Sequence, residues 1–160
     1  MHDDRRLVEA RLDRVLAERI RPAVYAAKVP FELAVWKVPG EPVPVAEALA
    51  TAVFSPFQVG ERWGTPWSTA WFRACGTVPE QWAGRPVEAV FDLGFVGDWP
   101  GSQAEALVYD AAGHPLKGVA PRNQYVPIAH PAAGGERVEL LLEAAANPDI
   151  RISAAIKSGR

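Results

Sequence analysis

The chain has 160 residues, 49% of them hydrophobic and 22% charged, which is the size and make-up of one globular domain and leaves no room for two enzyme-sized lobes. Its 17 lysines and arginines against 19 acids give a formal charge of −2, too even a balance for the broad positive field that a nucleic-acid partner demands. A single cysteine, Cys75, excludes an intrachain disulfide, no run of about 20 apolar residues can span a bilayer, and the charged start Met1-His2-Asp3-Asp4-Arg5-Arg6 is not a secretory signal. These features predict a reducing, cytoplasmic setting with no membrane partner.

Residues 1–21 hold six arginines and five acids, ahead of a body with 11 basic and 14 acidic residues. Val8, Leu12, Val15 or Leu16, and Ile20 recur at spacings of three to four, with Leu7 beside them, so the spacing predicts one amphipathic helix over about 4–20. Asp3 or Asp4 is its expected cap, and Arg5 with Glu9, like Arg14 with Glu18, stands four apart on the polar face. The break falls at Arg21-Pro22.

Beyond it come all 15 prolines and all 13 glycines, which cut the chain into runs too short for helices. Glu32 to Lys37 is the first predicted strand, and Val45 to Leu49 a helical turn within a connection. Ser68 to Val78 alternates, with Trp71, Arg73 and Cys75 on one face and Phe72, Ala74 and Val78 on the other. Val87 to Leu93 and Ala104 to Asp110 follow. A turn at Ala111-Ala112-Gly113-His114 then returns the chain through Leu116 to Val119 as a hairpin. Tyr125 to Ile128 and Arg137 to Glu143 are the last clear strands. Six or seven short strands with no helices between them predict a mainly β fold: an antiparallel β-sandwich of jelly-roll, galactose-binding-like type with an N-terminal helix. The expected divisions are a helix over 1–21, a sandwich over 22–150 and a tail over 151–160.

The search for chemistry is mostly negative. His2, His114 and His130 lie far apart, without the short spacings of a metal site. Cys75 sits inside an alternating strand, where a small apolar role outweighs that of a nucleophile. No nucleophile elbow, phosphate loop or dinucleotide fingerprint occurs. Asp92, Asp98 and Glu105 flank a Gly/Pro-rich loop, but spacing in sequence does not set the separation that carboxylate-pair chemistry requires. No catalytic or metal-binding residue is therefore assigned.

Six tryptophans is a high number for this length. Trp63, Trp67 and Trp71 stand at steps of four, but Gly64 and Pro66 interrupt any helix, leaving Trp63 and Trp67 on a loop and Trp71 in a strand. Trp71 and Phe72 read as core. Trp63, Trp67 and Trp99 are candidates for a ligand or partner surface, because a flat apolar ring edged by polar groups suits the C–H face of a sugar.

The string Trp63-Gly64-Thr65-Pro66-Trp67-Ser68-Thr69-Ala70-Trp71-Phe72-Arg73, then Val78-Pro79-Glu80-Gln81-Trp82-Ala83-Gly84 and Val90-Phe91-Asp92, resembles the N-terminal β-domain of glycoside hydrolase family 38 α-mannosidases of the cytosolic and vacuolar type. Gln103 to Asp110, Gly113 to Gly118, Arg122 to Val126 and Glu143 to Pro148 match further blocks in the same order, so that the resemblance covers roughly 25–150. It implies a noncatalytic domain whose parent enzyme removes terminal α-linked mannose. The zinc and the carboxylate nucleophile of that enzyme would lie in a C-terminal barrel, and the zinc segment H-x-H-x-D-x-x-W has no counterpart in this chain. No cofactor is expected here, and residues 151–160 depart from the family pattern as a truncated tail. The implied role is to pack on the catalytic barrel and wall its cleft with the loops around Trp63–Trp67, Gly94–Ser102 and Arg122–Tyr125. In a glycan contact Trp67 or Trp99 would stack, and Glu105, Arg122 and Asn123 would hydrogen-bond hydroxyls. Two alternatives stay open: an interface that joins copies into a homo-oligomer through the aromatic loops, and a stand-alone carbohydrate-binding jelly roll like those of β-galactosidase-type enzymes.

Overall fold

The computed structural model describes residues 4–95 and 104–147, and the backbone of 157–158. The chain divides into two compact units, one over 1–29 with residue 160, the other over 30–159. In the first, helix α1 (Arg5–Val15) runs into a π-helical turn, Leu16–Ile20, and a last short turn α2 (Arg21–Ala23). The helical path thus passes Pro22 instead of stopping before it. The wide π turn ahead of the proline relieves the crowding that its ring would impose on an α-helical carbonyl four residues back. Arg5 and Glu9 pair at 2.8 Å as their spacing predicts. Asp4 occupies the N-cap, but its side chain makes no capping hydrogen bond. None of these helical residues is buried, and the stripe from Leu7 to Ile20 stays 42–63% exposed.

The second unit is a sandwich of two antiparallel sheets. Its strands are β1 (Glu32–Lys37), β2 (Ser55–Phe57), β3 (Thr69–Thr77), β4 (Val87–Asp92), β5 (Ala104–Asp110), β6 (Pro115–Val119), β7 (Tyr125–Ala129), β8 (Arg137–Ala146) and β9 (Lys157–Ser158), with helix α3 (Val45–Thr51) between β1 and β2. The large sheet runs β2-β1-β3-β8-β5-β6 and the small one β7-β4-β9. Its spine is the β3–β8 ladder, nine partners from Thr69↔Ala145 to Thr77↔Arg137.

Side chains alternate across a strand, so each strand feeds two layers. Phe72, Ala74, Leu142 and Val108 point inward from the large sheet to meet Ala89, Phe91, Leu93 and Val126 of the small-sheet side. Phe72 anchors this layer, with Phe57 edge-on at 5.2 Å and Trp63 edge-on at 5.6 Å. Such ring pairs add about 0.5–1.5 kcal/mol beyond the area they bury. On the outer face of the large sheet Trp71, Leu141 and Tyr109 form a second cluster with Val38 and with Ala48 of α3. Trp71 and Phe72 are both fully buried, on opposite sides of one strand, because α3 and its flanking segments cover the face that would otherwise meet solvent.

The predicted hairpin turn is built by Asp110. Its Oδ1 accepts the N–H groups of Ala112 and His114, each at 2.9 Å, its Oδ2 lies 2.9 Å from His114 Nδ1, and Gly113 supplies φ +87°. These contacts lower the Asp110 pKa, the His114 backbone bond being the largest cause.

Candidate functional site

Register brings the Trp63–Trp67 and Arg122–Tyr125 loops to one end of the sandwich; the loop Gly94–Ser102 lies mostly outside the described residues. β1 reaches this end at Lys37 and β3 starts from it at Thr69. β8 ends here at Ala146, opposite Ala104 at the start of β5, and β6 finishes nearby at Val119, opposite Ala106. The arch 120–124 leads from there into β7, where the Phe91 N–H donates to Gln124 O at 2.8 Å.

Within this end the three tryptophans of the 63–71 segment take three different environments. Trp63 is 1% exposed, and its Nε1 donates to Leu93 O at 3.2 Å. Trp63 therefore belongs to the core and offers no ring face to a ligand; the loop folds its side chain inward, which corrects its placement among the surface candidates. Trp71 lies on the outer face under α3. Trp67, by contrast, is 79% exposed.

The backbone of Trp67 has φ +68°, the left-handed region, which costs a bulky residue on the order of 1–3 kcal/mol. Several tethers hold it there. The Trp67 N–H donates to Ala146 O at 2.7 Å, the Thr65 N–H to Ser68 Oγ at 2.9 Å, and Ser68 Oγ in turn to Thr65 O at 2.7 Å. Gly64 lets the loop lie close to β8, since a Cβ there would fall 2.8 Å from Ala146 Cβ. The buried Trp63 thus anchors a rigid loop that carries Trp67 outward.

Glu105 is exposed on β5, one residue after the partner of Ala146. It stands about two strand spacings, roughly 10 Å, from the Trp67 backbone. Arg122 is exposed on the 120–124 arch. Asn123 shapes that arch: its N–H donates to Ala120 O at 2.8 Å and its Nδ2 to Gly118 O at 3.0 Å, so its amide nitrogen serves the turn. Trp99 and Asp98 lie outside the described residues. Asp92 Oδ1 accepts the Gly94 and Phe95 N–H groups, each at 2.9 Å, which gives this carboxylate a turn-forming part.

The outer face holds a polar set that the sequence reading did not single out. Tyr109 Oη donates to Glu143 Oε2 at 2.8 Å, the Tyr109 and Trp71 rings lie 5.4 Å apart, and Trp71 Nε1 is buried without a hydrogen-bond partner. The signal was present in the period-two pattern, which puts Trp71 and Glu143 side by side across β3 and β8. Burial, and then the bond to Glu143, push the Tyr109 pKa up from 10 to about 12. Between these values the unfolded chain gives up a proton that the folded chain keeps. The stabilisation is therefore fully present below pH 10 and is lost as the pH rises through about 12. Phenolate absorbance should show the Tyr109 signal, identified by its loss in Tyr109→Phe, appearing together with unfolding, and Tyr109→Phe should flatten that alkaline loss. Titration of Tyr109 near pH 10 would contradict this geometry.

Among the described residues no group of three or more His, Cys, Asp or Glu side chains could hold a metal ion. The Cys75 thiol is pushed up, first by burial and then by Glu139, which disfavours the thiolate a nucleophile needs. No helix among the described residues is long and apolar enough to cross a membrane.

Residues 29–159 match the model of the alpha-mannosidase jelly roll domain. The chain is 31% identical to human Alpha-mannosidase 2C1 over 100 residues, which is 62% of this chain and 9% of the human protein. It is 36% identical to the mouse Alpha-mannosidase 2C1 over 66 residues, 41% of this chain and 5% of that protein. The chain thus spans less than a tenth of the length of these curated relatives. With antiparallel sheets in the predicted sandwich and a family match over most of its length, the chain belongs to the alpha-mannosidase jelly roll domain family.

Proposed function

We propose that this chain is the noncatalytic jelly-roll part of a larger cytoplasmic α-mannosidase, which packs on the catalytic barrel and borders its substrate cleft with the loops at the Trp67 end. The observation that carries the reading is the family match over 29–159, joined to the small share of each mannosidase relative that the chain covers. Zinc belongs, on this reading, to the barrel. The 160-residue chain, supplied with zinc and a nitrophenyl α-mannoside, is expected to give no turnover above the spontaneous rate. Zinc-dependent hydrolysis by the purified chain would overturn the noncatalytic assignment.

A second reading, a surface that joins copies of the protein, is favoured by one observation: the apolar stripe Val8, Leu12, Val15 and Leu16 is left 42–58% exposed. Stripes of this kind are covered in most stable proteins. Sedimentation separates the two, because concentration-dependent self-association that Leu12→Glu abolishes would favour the assembly role.

A further inference from the structure

Trp67 combines two features that oppose each other unless the ring has an external contact. Its backbone occupies a region where glycine is at ease and tryptophan is not, and its ring is 79% exposed. Core filling does not explain it, because the neighbouring rings of Trp63 and Trp71 do that with 1% and 0% exposure. A glycine would make the same turn without strain. The bonds on Ala146 and Thr65 hold the loop backbone in place, so the backbone at Trp67 has little freedom left to lose on binding.

The surroundings select the partner. The loop that carries the ring also holds Thr65 and Ser68, and Glu105 is exposed on β5, its backbone about two strand spacings from that of Trp67. Among the described residues, another large ring at this end, Tyr125, has a face occupied by Lys117 Nζ at 3.0 Å from its centroid. Among the described residues, Trp67 at 79% is the most exposed aromatic ring, and one ring does not make the continuous apolar centre of a protein interface. It does fit a pyranose, whose C–H face stacks while its hydroxyls reach polar groups.

We infer that Trp67 is a stacking platform for one sugar ring of the mannoside substrate, with Glu105 as acceptor for a hydroxyl of the same or the adjoining ring. This rests on the reading of the chain as part of a mannosidase. The test is titration of the 160-residue chain with methyl α-mannoside and α-mannobiose, followed through the indole N–H resonances, with the Trp67 signal assigned by its loss in Trp67→Phe. Mannobiose at about 10 mM should shift the Trp67 resonance and spare those of Trp63 and Trp71.

Trp67→Gly should weaken binding by roughly tenfold or more while its thermal midpoint stays level or rises, because the strain is removed. Trp67→Phe should retain binding within a few-fold, and Glu105→Ala should weaken it several-fold. The inference is overturned if no sugar moves the Trp67 signal, if Trp67→Gly binds like the parent, or if Trp67→Gly instead abolishes a self-association that the parent shows. The readouts are independent of the turnover assay: hydrolysis by the chain would sink the noncatalytic reading, whereas a silent Trp67 resonance with no turnover would sink only this one.

Discussion

Trp63→Ala is expected to lower the unfolding free energy by about 3–5 kcal/mol, the usual cost of removing a large buried aromatic ring. Two effects combine. The ring is 1% exposed and meets Phe72 edge-on at 5.6 Å, so its loss leaves a void in the layer between the sheets. Its Nε1 also donates to Leu93 O at 3.2 Å, and the deletion leaves that carbonyl without its partner. A domain of this size has a total stability of about 5–15 kcal/mol, so the variant should stand near the limit of folding. Trp63→Phe keeps much of the volume and loses the hydrogen bond, and should cost roughly 1–2 kcal/mol. Urea unfolding of both variants gives the comparison. A loss below about 1 kcal/mol for Trp63→Ala would show that the loop's inward anchor does not hold the sandwich.

Gly134→Ala should be the most damaging of the small-residue changes, by roughly 2 kcal/mol or more. Gly134 has φ +84°, and a Cβ there would lie 2.8 Å from the backbone carbonyl oxygen of Glu80 and 3.1 Å from its Cα. A flexible side chain could swing away from such a contact; backbone held in a turn cannot. Gly84 is the natural control, since it has φ +80° with open space around the same position. Gly84→Ala therefore carries only the left-handed penalty of about 1 kcal/mol, and the difference between the two thermal midpoints isolates the clash. Equal losses in the two variants would mean that the Glu80 turn moves aside.

Much of this architecture was readable from residue patterns because the relevant signals are local. Glu32–Lys37 and Ala104–Asp110 keep their predicted limits as β1 and β5, where turn residues bound each run. The alternation from Thr69 to Thr77 sorted Trp71 from Phe72 onto opposite faces. β2 escaped because it has three residues with Pro56 in the middle; it exists through its pairing with β1, which no local pattern encodes. β9 escaped because it lies in 151–160, the segment expected to be a tail outside the sandwich, whereas Lys157 and Ser158 pair with Asp92 and Phe91 of β4 and the family match runs to residue 159. The helical path past Pro22 depends on a π turn that proline rules do not anticipate.

At the candidate site, the sequence identified Trp67 and Glu105 as exposed groups and misread Trp63, because a loop flanked by Gly64 and Pro66 carries no periodicity to say which way a ring turns. The positive φ of Trp67 was hidden by its own identity, since a left-handed turn announces itself in sequence through glycine or asparagine.

The strand pairing also sets an order of assembly. β3 reaches its main partner β8 only after some sixty intervening residues, and β4 acquires a neighbour on its second side only at residues 157–158. During synthesis the large sheet can close when β8 has left the ribosome, and β4 and β7 can already pair, but among the described residues the second side of β4 is covered only when Lys157 and Ser158 arrive. Until then the apolar edge of β4 at Phe91 is open to unwanted partners, so the period of greatest danger for the nascent chain falls at the end of translation of this segment.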